Sequence, residues 1–489
     1  MDVFDRDAKV AISEEENIKS PEDVAHFDWT EDEETRMRRK LDYRIVPLAL
    51  LLFTLCFLDR NARIQGMATD LDLTGYRFNT ALSIFYVSYV LVEIPSNILL
   101  KKLGGKLYIP CLVFGFGVIS LCTAFVHNYE GLFAVRFFLG ITEGGVLPGI
   151  AYYLSTFFRR KELLFRVSIF IMGSSMAGAF GGLLAAGLSQ VPRWGASSAP
   201  IHTWRNIFFF EGLISILAAF LGWWIFPKDP ASATFLSERE KMIAVERMAR
   251  EYREIAGERV KSRHIKRALT SAHGTMCAFI FLFLNIALQS FAVFLPTILR
   301  DLGYTAIQAQ LRSVAPYCAA CTTAIVVANF SDRVGMRGPF IVGASLFATV
   351  GYAILCGSDS AAAKYAAIFI AAMGAFTAGP ATVSWGLNNS AGPSVRSVTS
   401  AYIVATGNCG ALIATWTYLP FMAPEYTLGH ALNMTATGIA AILAAIAVFY
   451  CRWENKQRAS GERNDRLQGL TDHDVKELGS LHPDFRYML

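Results

Sequence analysis

The chain has 489 residues, 53% hydrophobic and only 17% charged, with a mean hydropathy of +0.37, whereas soluble domains carry about 25% charged residues. That balance excludes an ordinary soluble domain and makes lipid the expected solvent. The net charge of +5 is small for this length and comes from loop lysines and arginines rather than one basic face, which excludes nucleic acid as a partner.

Residues 1–44 read as a polar tail, acidic at Glu14, Glu15 and Glu16. They lack an apolar core followed by a cleavage site, so the first apolar span is retained. Stretches long enough to cross a bilayer follow near 45–66, 80–100, 107–127, 130–155, 163–190 and 204–227, giving a first half at 45–227. A charged linker, 228–271, contains Ser237-Glu238-Arg239-Glu240, the form of a capping box opening a surface helix. The second half, 272–452, has stretches near 272–299, 308–330, 338–357, 362–386, 396–420 and 430–452. Residues 453–489 form a polar tail expected to be flexible. The predicted fold class is an all-α integral membrane protein with 12 transmembrane helices in two six-helix halves.

Basic residues set the expected orientation. Arg36, Arg38, Arg39, Lys40 and Arg44 precede the first span, Lys101, Lys102 and Lys106 follow the second, and Arg159, Arg160, Lys161 and Arg166 follow the fourth. The loop around His127 and Glu130 has no Lys or Arg, so both termini are expected in the cytosol. The nine cysteines fall in or beside apolar spans and show no disulfide framework or zinc spacing. Cys318 and Cys321 match C-x-x-C, but within an apolar helix they read as packing residues.

The halves echo each other after their second spans, as Lys101-Lys102-Leu103-Gly104-Gly105-Lys106 and as Asp332-Arg333-Val334-Gly335-Met336-Arg337. A tight glycine turn with flanking charges braces neighbouring helix ends. Lys101, Lys102, Gly104, Asp332, Arg333, Gly335 and Arg337 are therefore gating candidates, set away from the midplane.

From Leu58 to about Trp453 the sequence resembles the major facilitator superfamily and, within it, the fungal allantoate permease family of organic anion transporters. The resemblance rests on Leu58-Asp59-Arg60, on Asn61 to Gly66, on Ala81 to Tyr86, on Glu93-Ile94-Pro95-Ser96-Asn97 and on Arg136 to Gly145. It continues through Trp204-Arg205 ahead of Glu211-Gly212, Trp385 to Asn389, Gly407 to Gly410, and Pro424-Glu425-Tyr426 to His430. It implies a gradient-driven permease, functional as a monomer, in the plasma membrane. It also implies that Asp59 and Arg60 face the central cavity. Family members place about four more residues between Arg60 and Asn61, a change that shortens a helix by ~6 Å yet leaves its faces within about 40°.

No G-x-x-x-x-G-K-[ST] loop occurs, so no ATP hydrolysis is expected. For an organic anion entering a negative cell, proton symport offsets about 2.3 kcal/mol per charge per 100 mV. Such a transporter needs a cation to receive the anion and a carboxyl that titrates. Arg136, Gly140 and Glu143 lie at i, i+4 and i+7 on one face of the fourth span, with Gly144 and Gly145 thinning the helix. Asn285 and Gln289 share a face of the seventh span, Trp385, Asn388 and Asn389 cluster at the end of the tenth, and Asn408 lies in the eleventh. Amides there suit a carboxylate or heterocycle and equally suit helix-to-helix bonds. Glu93, beside Pro95, reads as a gate. The expected partners are a small organic anion, protons and the bilayer, with no cofactor and no metal. The alternative within transport is proton-driven efflux of a fungal secondary metabolite or toxicant, since fold fixes neither direction nor substrate. A membrane enzyme is disfavoured because no metal-spaced or nucleophile–base motif occurs in the spans, and a nutrient receptor because the polar tail is short.

Overall fold

The computed structural model describes residues 29–56, 66–159, 162, 166, 173, 177–178, 180–195, 201–255, 262–391, 393–467 and 478–489. Asp59, Arg60, Arg160, Lys161 and much of the fifth predicted span lie outside the described residues, as do the side chains of Lys101 and Asp332. The helices in chain order are α1 (Glu31–Leu55), α2 (Arg77–Leu103), α3 (Gly105–Thr123), α4 (Tyr129–Glu143), α5 (Val146–Ser155) and α6 (Trp204–Ile225). Two linker helices follow, α7 (Glu238–Ile255) and α8 (Ser262–Thr270). The second half comprises α9 (Ala272–Asp301), α10 (Ala306–Val334), α11 (Gly338–Gly357), α12 (Ala361–Asn388), α13 (Pro393–Ala414) and α14 (Thr427–Ala459).

Among the described residues eight helices are long and apolar enough to cross a bilayer, α4 and α5 counting as one. With α1, α2, the helical residues 180–188 and the shorter apolar stretch 398–414 they account for the twelve predicted spans.

α1 starts well before its apolar stretch. Thr30 caps it, with Thr30 and Glu33 forming a reciprocal capping box, and Met37, Leu41 and Ile45 recur every four residues with no exposure. The helix thus opens inside what composition marks as polar tail, because its buried stripe is narrow among charges. In the fourth span Gly144 and Gly145 separate α4 from α5, the kind of pair at which helices kink.

Short connections place the α2–α3, α10–α11 and α12–α13 turns, both linker helices and the 478–489 segment at one end of the bundle, here called the linker face. The linker opens as its sequence predicts, Ser237 N–H donating to Glu240 at 2.8 Å and Glu240 N–H donating back to Ser237 Oγ at 3.3 Å. Apolar packing differs between the two ends. At the far face one buried cluster draws on both halves, joining Phe78, Trp204 and Phe208 to Phe291, Phe294 and Tyr418. At the linker face each half packs on its own, around Tyr153, Phe157 and Phe226 in the first and Trp385, Ile403 and Val448 in the second.

The last twelve residues depart from the sequence expectation. Residues 478–489 fold back against the ends of α12 and α14, where Tyr487 is 8% exposed. Hydropathy misses this because Phe485, Tyr487 and Leu489, which pack with the second half's buried cluster, form only a short run after polar residues.

Candidate functional site

The site begins where α4 crosses α2. A Cβ added at Gly144 would stand 2.7 Å from the Tyr89 carbonyl oxygen, and one at Gly140 would strike Ser88 and the Phe85 carbonyl. Only glycine allows this approach, which is the role expected of small residues between membrane helices. With its glycines against α2, α4 turns Arg136 and Glu143 inward, where they are 7% and 4% exposed. They stand two turns apart, about 10 Å along the axis.

Both line one cavity with Phe78, Leu82, Phe85 and Tyr86 of α2 and Val293 of α9. The cavity is small, about 20 Å³, room for about one water. It therefore touches both halves and carries opposite charges on one wall and aromatic rings on the other. Arg136 and Glu143 both have interaction partners in their surroundings.

Polar bonds between the halves run along α2 from the far face inward. Asn79 donates to the Thr415 carbonyl at 2.5 Å, Ser83 meets the Thr415 hydroxyl at 3.0 Å, and Trp416 Nε1 donates to Ser83 at 2.9 Å. Tyr86 donates to Gln289 at 3.1 Å beside the cavity, and Asn408 donates to Glu93 at 3.4 Å closer to the linker face. Gln289 thus reaches the cavity wall through Tyr86. Glu93 and Asn408, which the sequence offers separately, meet across the halves. Asn285 is instead committed to its own half, donating to the Gly407 carbonyl at 2.7 Å and tying α9 to α13.

Trp385, Asn388 and Asn389 do cluster at the end of α12, yet not in the cavity. Trp385 Nε1 donates to the Met488 carbonyl at 2.9 Å, Asn389 pairs with Met488 through both its amide groups, and Asn388 donates to the Met488 sulfur at 3.4 Å. This trio holds the chain's own tail; a long-range partner of this kind leaves no local signal. The Met488 N–H fixes the Asn389 amide so that its NH2 faces His273 Nε2 at 3.1 Å, and His273 must accept there as a neutral ring.

Of the gating candidates, Gly335 ends α10 in the left-handed region at φ 70° and Gly104 turns the chain between α2 and α3 at φ 78°. These are conformations that favour glycine. Lys102 and Arg333 are exposed and Arg337 is half-buried. The Ser331 hydroxyl donates to the Met336 carbonyl at 2.7 Å, closing the second turn on itself.

Four residues of note are not among the sequence's site candidates, although Tyr86 and Glu211 lie in the motifs quoted above. Tyr86 bridges the halves and Glu211, 3% exposed in α6, is a buried carboxyl; a lone carboxyl in an apolar run was the available signal for the latter. Arg247 of α7 has no exposure, donates to the Phe157 carbonyl at 2.8 Å and pairs with Glu162 at 3.1 Å and Glu34 at 3.4 Å. Burial pulls its guanidinium below the ordinary value, the two carboxylates pushing the other way. Asn455 of α14 holds Tyr487 as Asn389 holds Met488.

Comparison with known proteins decides the family. Residues 49–415 match the Major Facilitator Superfamily. The chain belongs to the major facilitator superfamily. Facilitators similar to it include the MFS-type transporter efuF of Hormonema carpetanum, 32% identical over 441 residues, covering 89% of this chain and 87% of that one. The high-affinity nicotinic acid transporter of Saccharomyces cerevisiae is 28% identical over 491 residues, covering 99% and 89% respectively. The bundle is similar to the xylose transporter XylE of E. coli in a partially occluded inward open conformation. The TM-score is 0.62 at 14% identity, with 81% of this chain and 96% of that one covered. A bacterial homologue of the human lysosomal transporter Spinster matches with a TM-score of 0.61 at 16% identity, over 83% and 97%. This facilitator is accordingly a multi-pass membrane transporter with the twelve-helix fold, not an enzyme.

Proposed function

We propose that this facilitator moves a small organic anion by proton-coupled symport, alternating access between the two faces, with its termini in the cytosol. The observation that carries the reading is the pairing of Arg136 and Glu143 on one glycine-thinned face, both lining the cavity where the halves meet. A guanidinium keeps its charge at any physiological pH, so Arg136 suits a carboxylate held by two parallel bonds. A carboxyl moved between wet and closed surroundings changes its protonation, which suits Glu143 to coupling. The similarity to a nicotinic acid transporter supports a vitamin-like carboxylate, and the resemblance of the sequence motifs to the allantoate permease family supports the same substrate class. Because the cavity holds about one water, the anion enters only when the halves part.

The test is uptake and efflux of a panel of labelled carboxylates in cells expressing the chain, with and without a proton uncoupler. Saturable uptake of at least one carboxylate that collapses with the uncoupler is the expected result. Export that depends on the same gradient overturns symport in favour of efflux.

A further inference from the structure

Residues 485–489 occupy a site built for an extended peptide. Asn455 accepts from the Tyr487 N–H at 2.8 Å and donates to the Tyr487 carbonyl at 2.9 Å. Asn389 treats the next residue alike, accepting from the Met488 N–H at 2.7 Å and donating to its carbonyl at 3.0 Å. In an extended chain successive backbone groups point to opposite edges, so amides from α14 and α12 stand in for the neighbouring strands of a sheet. Arg458, 4% exposed, donates to the Phe485 carbonyl at 2.7 Å and the Ser480 carbonyl at 3.0 Å and lies 4.8 Å from the Tyr487 ring centre. The Leu489 carbonyl then accepts from the Arg337 N–H at 2.5 Å. Arg337 is the N-cap residue of α11 and offers that helix no side-chain cap, so the segment ends on the turn that joins α10 to α11.

We infer that residues 478–489 act as a strap that joins the ends of α12 and α14 to the 332–337 turn, and that its seating sets the rate at which the transporter exchanges between its two access states. Rocking of one half against the other requires each half to move as one body. Opening the far face brings the linker-face ends of the halves together, and there the 332–337 turn must present a fixed shape. The seated strap holds that shape in advance. The inference rests on the alternating-access reading, and its test therefore reads seating and exchange without a substrate.

Seating is measured by hydrogen–deuterium exchange of the 478–489 peptide in the purified full-length chain. The Tyr487 and Met488 amides are expected to exchange at least tenfold more slowly than in the free peptide, and Asn389→Ala with Asn455→Ala should remove that protection. Far-face opening is measured by maleimide labelling at Ser83→Cys, read by peptide mass, because Ser83 is bonded across the halves to Thr415 and Trp416. The double substitution should slow labelling at least threefold. A chain ending at residue 477 should be equally slow and should recover when a synthetic 478–489 peptide is added, which separates a strap from a folding defect. Unprotected amides in the unaltered chain overturn the seating. Unchanged or faster labelling in the loosened chains overturns the role in exchange, and no labelling in any chain counts against alternating access itself.

Discussion

At the linker face the first half is covered by α7 and the second by residues 478–489, and in each a buried arginine makes the joint. Arg247 reaches the Phe157 carbonyl and is flanked by Glu34 and Glu162. Arg458 reaches the Phe485 and Ser480 carbonyls and is flanked by Glu454, which also holds Arg463 at 2.9 Å and Arg466 at 3.2 Å. Both covers follow the last helix of their half. They differ in chemistry: α7 is held by paired ionic groups, whereas the strap is gripped by the neutral amides of Asn389 and Asn455 together with Arg458. The same division runs through the cavity, where Arg136 and Glu143 belong to the first half and the second half contributes Val293 and, through Tyr86, Gln289.

The largest effect should follow from removing the charge that defines the first half. Arg136→Ala is expected to lower carboxylate transport at least about 100-fold, since charge-assisted paired bonds are the strong ones, while Arg136→Lys retains charge but loses the planar fork and should give an intermediate loss. Uptake normalised to surface expression measures both. Wild-type affinity in Arg136→Ala returns that arginine to a structural role.

The two covers can be set against each other. Arg247→Ala breaks a buried ionic joint and should destabilise the chain by about 3 kcal/mol, seen as a lower melting temperature in detergent. Arg458→Ala should cost less, about 1–2 kcal/mol, because Glu454 keeps two other arginines. The first cover also has an acid limit. Burial raises the Glu34 carboxyl, but Trp29, Arg159 and Arg247 outweigh it and hold it below its ordinary 4.5. A lowered carboxyl contributes stability above its unfolded value and loses it as pH falls through the folded one. α7 should therefore stay docked at neutral pH and loosen only below about pH 4.5, which proteolysis of the linker across a pH series would reveal.

Much of this architecture was legible in the sequence, and the exceptions have common causes. Spans of about twenty apolar residues read directly as helices, and the i, i+7 placement of Arg136 and Glu143 put both on one face because helical geometry is local. The capping box at Ser237 was equally plain. The start of α1 is hidden in the sequence because Met37, Leu41 and Ile45 form a thin stripe among charges. The Trp385–Asn389 cluster was seen, but its partner at Met488 lies 99 residues from Asn389, and no periodicity carries such a pairing. The meetings of Tyr86 with Gln289 and of Glu93 with Asn408 depend likewise on how two bundles dock.

The smallest effect concerns that docking. Tyr86→Phe removes one hydrogen bond between the halves, worth about 1 kcal/mol, and should shift the balance between access states roughly fivefold with little change in stability. Maleimide labelling at the far face checks it, and an unchanged balance would remove Tyr86 from the inter-half contact.

Proton coupling in this cavity turns most directly on Glu143. In surface-expressed Glu143→Gln, proton-driven uptake of the carboxylate should be lost while exchange of labelled for unlabelled substrate persists, because the amide copies the protonated carboxyl but does not titrate. Uptake that still follows the pH gradient as in the unaltered chain would contradict the assignment of proton coupling to this cavity.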